Sequence, residues 1–92
     1  MNIKETAREI EVLDQVDVVV AGGGIAGCTA AISAAEAGAK VLLVERNGCL
    51  GGVLTSNIIP NLLNNHVSAN FEQLLIGVPR RIIERLVTIG GC

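Results

Sequence analysis

Residues 17–45 read DVVVAGGGIAGCTAAISAAEAGAKVLLVE, and this stretch decides the fold. It opens with a β-branched run at 17–21 and closes with an aliphatic run at 40–45, and each run is typical of a strand buried on both faces of a parallel sheet. Between them, residues 25–37 are rich in alanine and are followed by Gly38, which predicts a helix with a glycine stop. A strand, a helix and a strand in about 30 residues predict a βαβ unit with parallel strands.

The turn between the first strand and the helix satisfies the pattern G-x-G-x-x-G. Gly22 permits a tight turn, Gly24 lets the backbone approach a pyrophosphate, and Gly27 lets the helix pack closely on the strand. The amides of Ile25 and Ala26, at the positive end of the helix dipole, favour phosphate groups. Because the pattern follows a strand and opens a helix, it predicts a dinucleotide-binding turn of the Rossmann type.

An acidic residue, Glu45, ends the second predicted strand. A carboxylate there can accept hydrogen bonds from both hydroxyls of an adenosine ribose, and it would repel the 2′-phosphate of NADP. Ala31, Ala34 and Ala35 follow Gly27 along the helix and predict a face of small residues against the sheet. The alternative is a tight glycine turn without a ligand, in which Glu45 is an ordinary solvated carboxylate.

Composition narrows the classes of function. The chain has 92 residues, enough for one small domain, and its net charge of −2 argues against nonspecific nucleic-acid binding. Cys28, Cys49 and Cys92 show no C-x-x-C spacing and lie far along the chain from the one histidine, so we expect no zinc site. Their odd number gives no disulfide framework and fits a reducing, cytoplasmic compartment.

Two features of the chain concern membranes and targeting. The N-terminal residues lack the basic start and apolar centre of a signal peptide. The uncharged run at 18–35 is long enough for a membrane helix, but three consecutive glycines interrupt it. We therefore expect no membrane partner.

Outside the βαβ unit the sequence pattern predicts secondary structure less clearly. Residues 1–15 are expected to form an N-terminal arm, frayed or a short helix, in which 9–13 is an alternative edge strand. We assign residues 16–92 to the N-terminal part of a dinucleotide-binding domain. Within it, residues 47–57 indicate a glycine-rich loop.

The C-terminal third gives three further expectations. Residues 58–70 are ambiguous, residues 73–76 favour a short strand, and residues 79–89 predict a helix with proline in its first turn. An apolar stripe at helical spacing indicates the core face of that helix: Ile82, Ile83, Leu86 and Val87. Arg80 and Arg81 are expected on a solvated face, with contact to a phosphate as the alternative.

A second glycine-rich segment follows the acidic residue, and residues 45–52 read ERNGCLGG. Here the sequence resembles the FAD-dependent oxidoreductases with a glutathione-reductase-type Rossmann fold. Residues 17–46 match the pattern of that superfamily almost throughout, and residues 48–55 and 77–86 resemble one broad branch of it. The resemblance implies an α/β fold: a βαβ Rossmann-type unit belonging to an incomplete three-layer FAD-binding domain.

The resemblance also implies FAD as the cofactor and a set of contacts to it. Gly22, Gly24 and Gly27 would line the pyrophosphate, and Glu45 would take the adenosine ribose. The remaining contacts would be Arg46 near the adenine, and Gly51, Gly52 and Thr55 nearer the flavin. The alternative for the glycine pair is a plain flexible turn. No cysteine pair follows these glycines, so the dithiol mechanism of flavin disulfide reductases is not expected.

The implied activity is flavin-mediated redox chemistry on a small molecule. A complete fold of this kind needs a third strand, helices on both faces of the sheet and parts that hold the flavin ring. We therefore expect a fragment, inactive alone, with the remainder of the flavoprotein C-terminal to Cys92. Two alternatives stay open: a non-catalytic nucleotide-binding remnant, and the N-terminal part of an NAD-dependent dehydrogenase. The glycine pair favours FAD over NAD.

Overall fold

A parallel two-stranded sheet and the helix that connects its strands form the centre of the structure. The computed structural model describes residues 1–57 and 76–91. Strands β1 (Val18–Ala21) and β2 (Val41–Val44) pair in parallel, with Val18 opposite Val41. Helix α1 (Ile25–Glu36) connects them and contacts both. The predicted α/β class and βαβ unit are confirmed.

Local chemistry sets the ends of these elements. Helix α1 begins after Gly24 and ends at Glu36, with Ala37 as its C-cap, and Gly38 then takes φ 93°, a conformation that favours glycine. The Gly38 amide donates to the Ala35 carbonyl at 3.0 Å, which closes the last turn. At the entry to β2, the Lys40 amide donates to Asp17 Oδ2 at 2.7 Å and ties the two strand starts together.

Burial of the sheet differs from the prediction. Side chains alternate along each strand between a half-buried and an exposed face, and Val19 and Val44 are 62% and 52% exposed. The expectation that both faces would be buried is therefore wrong for the described residues. The reason is that α1 covers one face, and the next long helix packs on α1 rather than on the sheet.

The small face of α1 is narrower than expected. Ala31 and Ala34 are half-buried, whereas Ala35 is exposed. Each helical residue advances by about 100°, so four-residue steps drift by about 40° and carry Ala35 away from the sheet.

The N-terminal arm and the loop after β2 show two further outcomes. Residues 1–16 form neither helix nor strand, so the short helix and the edge strand are not found. The predicted loop at 47–57 contains a short helix, α2 (Val53–Ser56), that the sequence did not indicate. It forms because the Gly52 carbonyl accepts the amides of Thr55 and Ser56 at 3.1 and 2.8 Å.

Helix α3 (Val78–Thr88) matches the predicted C-terminal helix, with proline in its first turn. Val78 is its one buried residue, and Ile82 and Leu86 line an open groove of about 330 Å³ with Ile32 of α1. Val87 is 59% exposed, so its placement in the core stripe is wrong. It lies one residue, about 100°, beyond the face that meets α1.

Charged residues join the two long helices. Arg81 on α3 donates from both terminal nitrogens to the carboxylate of Glu36 on α1, each at 2.7 Å. Arg80 pairs with Glu84 of its own helix at 2.7 Å. Both arginines are therefore engaged in ion pairs on an exposed surface.

Two predicted segments lie wholly or partly outside the residues that the structure describes. The ambiguous segment 58–70 and most of the proposed strand 73–76 lie outside the described residues, and Ile76, which is described, is in no strand. None of the helices in 1–57 and 76–91 is long and apolar enough to cross a membrane, and the uncharged run at 18–35 is divided between β1 and α1.

Candidate dinucleotide-binding site

The start of α1 presents a row of free backbone donors. The amides of Gly24, Ile25, Ala26 and Gly27 donate to no acceptor among the residues that the structure describes. Gly24 is the N-cap, and no side chain caps the helix and no acidic residue occupies its first turn. Free amides and the positive end of a 12-residue helix together favour an anion.

The shape of the glycine turn leaves room for that anion. Gly22 takes φ 104°, and its amide donates to the Val44 carbonyl at 2.8 Å, which fixes the turn at the end of the sheet. A Cβ built on Gly24 would meet no atom within 4 Å. The backbone at Gly24 is therefore open on the side where a side chain would stand, as close approach of a pyrophosphate requires.

Gly27 has a different task from Gly24. A Cβ at Gly27 would overlap the Gly22 carbonyl oxygen and lie 3.4 Å from Cγ1 of Val20. The absence of a side chain therefore lets α1 pass close to the end of β1. This contact keeps the first turn of α1 next to the carboxyl end of the sheet.

The carboxylate of Glu45 lies directly beside the glycine turn. Its Oε2 accepts the Gly23 amide at 2.6 Å, and its Oε1 accepts the Asn47 amide at 2.9 Å. The hydrogen bond from Asn47, followed by that from Gly23, lowers the pKa of the Glu45 carboxyl below its ordinary value. Each carboxylate oxygen can accept a further hydrogen bond, so the ionised group keeps acceptor capacity for ribose hydroxyls.

The second glycine segment lies against the first. The Gly51 amide donates to the Gly23 carbonyl at 2.8 Å. Gly51 and Gly52 take φ of 107° and 58°, and a Cβ on Gly52 would lie 3.0 Å from Cα of Gly24. The glycine pair is thus a turn packed on the G-x-G-x-x-G turn, which argues against a plain flexible connection.

Two further predicted contact residues, Arg46 and Thr55, lie on the exposed side of this arrangement. Arg46 is exposed and forms no ion pair with another residue of the described ranges. Thr55 is exposed, and its hydroxyl donates to the Leu50 carbonyl at 2.6 Å, so its proton is already used within the loop. The structure therefore brings together the glycines and Glu45, with Arg46 directly after Glu45 at the surface and Thr55 beside Gly51.

Gly23 is the residue that the sequence analysis missed. It is buried, its amide donates to Glu45, and its carbonyl accepts both the Gly51 amide at 2.8 Å and the Cys28 thiol at 3.2 Å. The signal available in the sequence was a third glycine at a free position of the motif. Cys28 and Cys49 are free thiols.

The donor set fits the ADP part of a dinucleotide. Four amides at a helix start suit a pyrophosphate, an open backbone at Gly24 lets it approach, and the neighbouring ionised Glu45 suits a ribose diol. The glycine turn is tied to the end of β2 by the hydrogen bond from the Gly22 amide to the Val44 carbonyl. This chemistry alone is common to FAD and NAD.

Comparison with known proteins distinguishes between the two. The model of a family described as FAD dependent oxidoreductase matches residues 17–92. A fumarate reductase (cytochrome) of Shewanella frigidimarina is 59% identical over 39 residues, which cover 42% of this chain and 7% of that protein. No solved structure gives a significant match.

Two longer alignments involve dehydrogenases. A dihydrolipoamide dehydrogenase of Chaetomium thermophilum is 50% identical over 52 residues, which cover 53% of this chain and 10% of that protein. A dihydrolipoyl dehydrogenase of Trypanosoma brucei brucei is 41% identical over 74 residues, which cover 72% of this chain and 15% of that protein. In all three cases the aligned part of the chain spans only 7–15% of the relative.

Proposed function

The chain belongs to the family of FAD-dependent oxidoreductases, and on that premise we propose that its two glycine turns and Glu45 hold the ADP half of FAD. The observation that carries the proposal is the row of free amides at 24–27 beside an ionised carboxylate. The pyrophosphate would accept hydrogen bonds from those amides, where the helix dipole favours negative charge.

Glu45 sets the orientation of the adenosine. Its oxygens are held by the Gly23 and Asn47 amides, so the carboxylate is already placed to accept the ribose hydroxyls. An ionised carboxylate at that point repels a 2′-phosphate, so NADP is a poor ligand. We propose that Arg46, which is exposed, lies near the adenine.

The turn at Gly51 and Gly52 would continue the site toward the flavin. It lies against Gly24 and has no side chains to obstruct an extended cofactor. When bound, FAD supplies the redox chemistry, and the protein supplies binding and orientation. We propose that the activity is oxidation or reduction of a small molecule, and that polypeptide beyond the described residues holds the flavin ring and the substrate.

The partners and compartment follow from the same reasoning. A net charge of −2 disfavours binding to nucleic acid, and we propose that the protein has no nucleic-acid partner. We also propose that it has no membrane partner. The free thiols of Cys28 and Cys49 support a reducing, cytoplasmic location.

Calorimetric titration of the full chain with FAD, FMN and ADP tests the proposal. We expect FAD to bind, ADP to compete with it, and FMN, which lacks the ADP group, not to compete. Competition by FMN but not by ADP would contradict an ADP site at the glycine turns. For the oxidoreductase activity, the visible spectrum of the protein isolated from its native source should show bound oxidised flavin, and a colourless product would argue against it.

A further inference from the structure

The hydroxyl of Thr55 is committed to the backbone of its own loop. Its Oγ1 lies 2.6 Å from the Leu50 carbonyl and 3.3 Å from the Gly52 carbonyl. A hydroxyl has one hydrogen to donate, and the shorter distance assigns it to the Leu50 carbonyl. The thiol of Cys49 lies 3.8 Å from the same oxygen and can donate to it. The hydroxyl therefore acts as a link between the two ends of the segment 49–55.

The methyl group of Thr55 supports the same turn. A Cβ built on Gly51 would lie 2.5 Å from Cγ2 of Thr55, so the methyl occupies the space beside Gly51. Gly51 and Gly52 both take positive φ, and glycine alone specifies such a turn weakly because it adopts many conformations. The turn therefore needs an outside constraint, and Thr55 supplies one.

The constrained turn is the part of the loop that meets the other glycine turn. Gly51 donates to Gly23, and Gly52 packs on Gly24, the residue whose amide is free. Any shift of the Leu50 carbonyl would move Gly51 and Gly52 with it. Thr55 thus controls the position of the second glycine turn at a distance from the free amides.

We propose that Thr55 is a positioning residue for the cofactor site and not a ligand of the dinucleotide. It holds the Gly51–Gly52 turn against Gly24 before the cofactor binds. The inference rests on the proposed FAD site. A turn ordered in advance spares the ordering entropy that binding would otherwise cost, so its effect is on affinity.

Two variants of the full chain separate the hydroxyl from the shape of the side chain. Thr55→Val keeps the branched shape and removes the hydroxyl, and Thr55→Ser keeps the hydroxyl. The loss of one neutral hydrogen bond predicts about a fivefold weaker FAD affinity for Thr55→Val. Thr55→Ser keeps the hydroxyl but loses the methyl beside Gly51, so we expect a smaller loss of affinity. ADP lacks the flavin end, so we expect its affinity to change less than that of FAD.

Hydrogen exchange in the FAD-free protein is the decisive readout. In Thr55→Val we expect faster exchange of the Gly51 amide, which donates to Gly23, and in Thr55→Ser we expect exchange closer to that of the wild type. Because Thr55 is exposed, the valine variant should fold. If the valine variant does not fold, Thr55→Ala is the second variant to test, because alanine has a higher helix propensity than valine.

Each outcome has a distinct meaning. Absence of FAD binding in the wild type would overturn the proposed function itself. If the wild type binds FAD and Thr55→Val binds it equally well, the positioning role is wrong. Weaker FAD binding with unchanged exchange in the FAD-free protein would make Thr55 a direct ligand and overturn the inference.

Discussion

Substitution of Gly24 by alanine separates the stability of the protein from its capacity to bind a pyrophosphate. Gly24 has φ −71° and ψ −174°, which any residue adopts, and its Cβ would meet no atom within 4 Å. The fold should therefore accept the alanine. Because alanine restricts the unfolded chain more than glycine does, the free energy of unfolding should stay equal or rise by about 0.4–1 kcal/mol.

The effect on the cofactor should be large. The added methyl would stand in the open space through which the pyrophosphate approaches the amides of residues 24–27. Hydrogen bonds to a charged group contribute about 1.5–3 kcal/mol each. Loss of two of the four would weaken FAD binding by about 3–6 kcal/mol, or roughly 150- to 25,000-fold in Kd.

Calorimetric titration with FAD measures the affinity, and thermal unfolding without FAD measures the stability. Gly48→Ala is the matched control, since its Cβ would also meet nothing within 4 Å, and it removes a glycine outside both glycine turns. We expect the control to bind FAD like the wild type. If Gly24→Ala is folded and binds FAD as tightly as the wild type, the close approach of pyrophosphate at Gly24 is refuted.

Three further predictions concern the packing and charges around the site. Gly27→Ala should destabilise the protein by about 1–3 kcal/mol in urea unfolding, because its Cβ overlaps the Gly22 carbonyl, and an unchanged midpoint would refute the close helix–strand contact. Because the pKa of Glu45 is lowered, its hydrogen bonds stabilise the fold fully at pH values above the ordinary pKa of a glutamate, and this stabilisation is lost as pH falls through the lowered pKa. The melting temperature of Glu45→Gln should therefore differ from that of the wild type at neutral pH, and the two should converge in acid. Arg81→Met should shift the melting temperature only slightly, and high salt should abolish that shift, because the pair with Glu36 is exposed; a salt-independent loss would indicate an apolar packing role instead.

The local features of the fold could be predicted because they depend on neighbours along the chain. The β-branched run at 18–21, the alanine-rich run after Gly24 and the glycine at 38 each favour one backbone conformation by themselves, and the structure has β1, α1 and the helix end at those places. The short helix α2 was missed because a hydrogen-bonded turn at Gly52, rather than a periodic pattern, starts it.

The sequence by itself determined the βαβ unit, the glycine turn and the acidic residue at the end of β2, since propensity, spacing and residue type are properties of a short segment. Only the tertiary structure decided that Glu45 binds the Gly23 amide and that the two glycine turns pack together, because those contacts join residues more than 20 positions apart. Burial was likewise a tertiary outcome. One helix can cover one face of a sheet, so Val19 and Val44 are exposed although their strands have the apolar composition of buried ones.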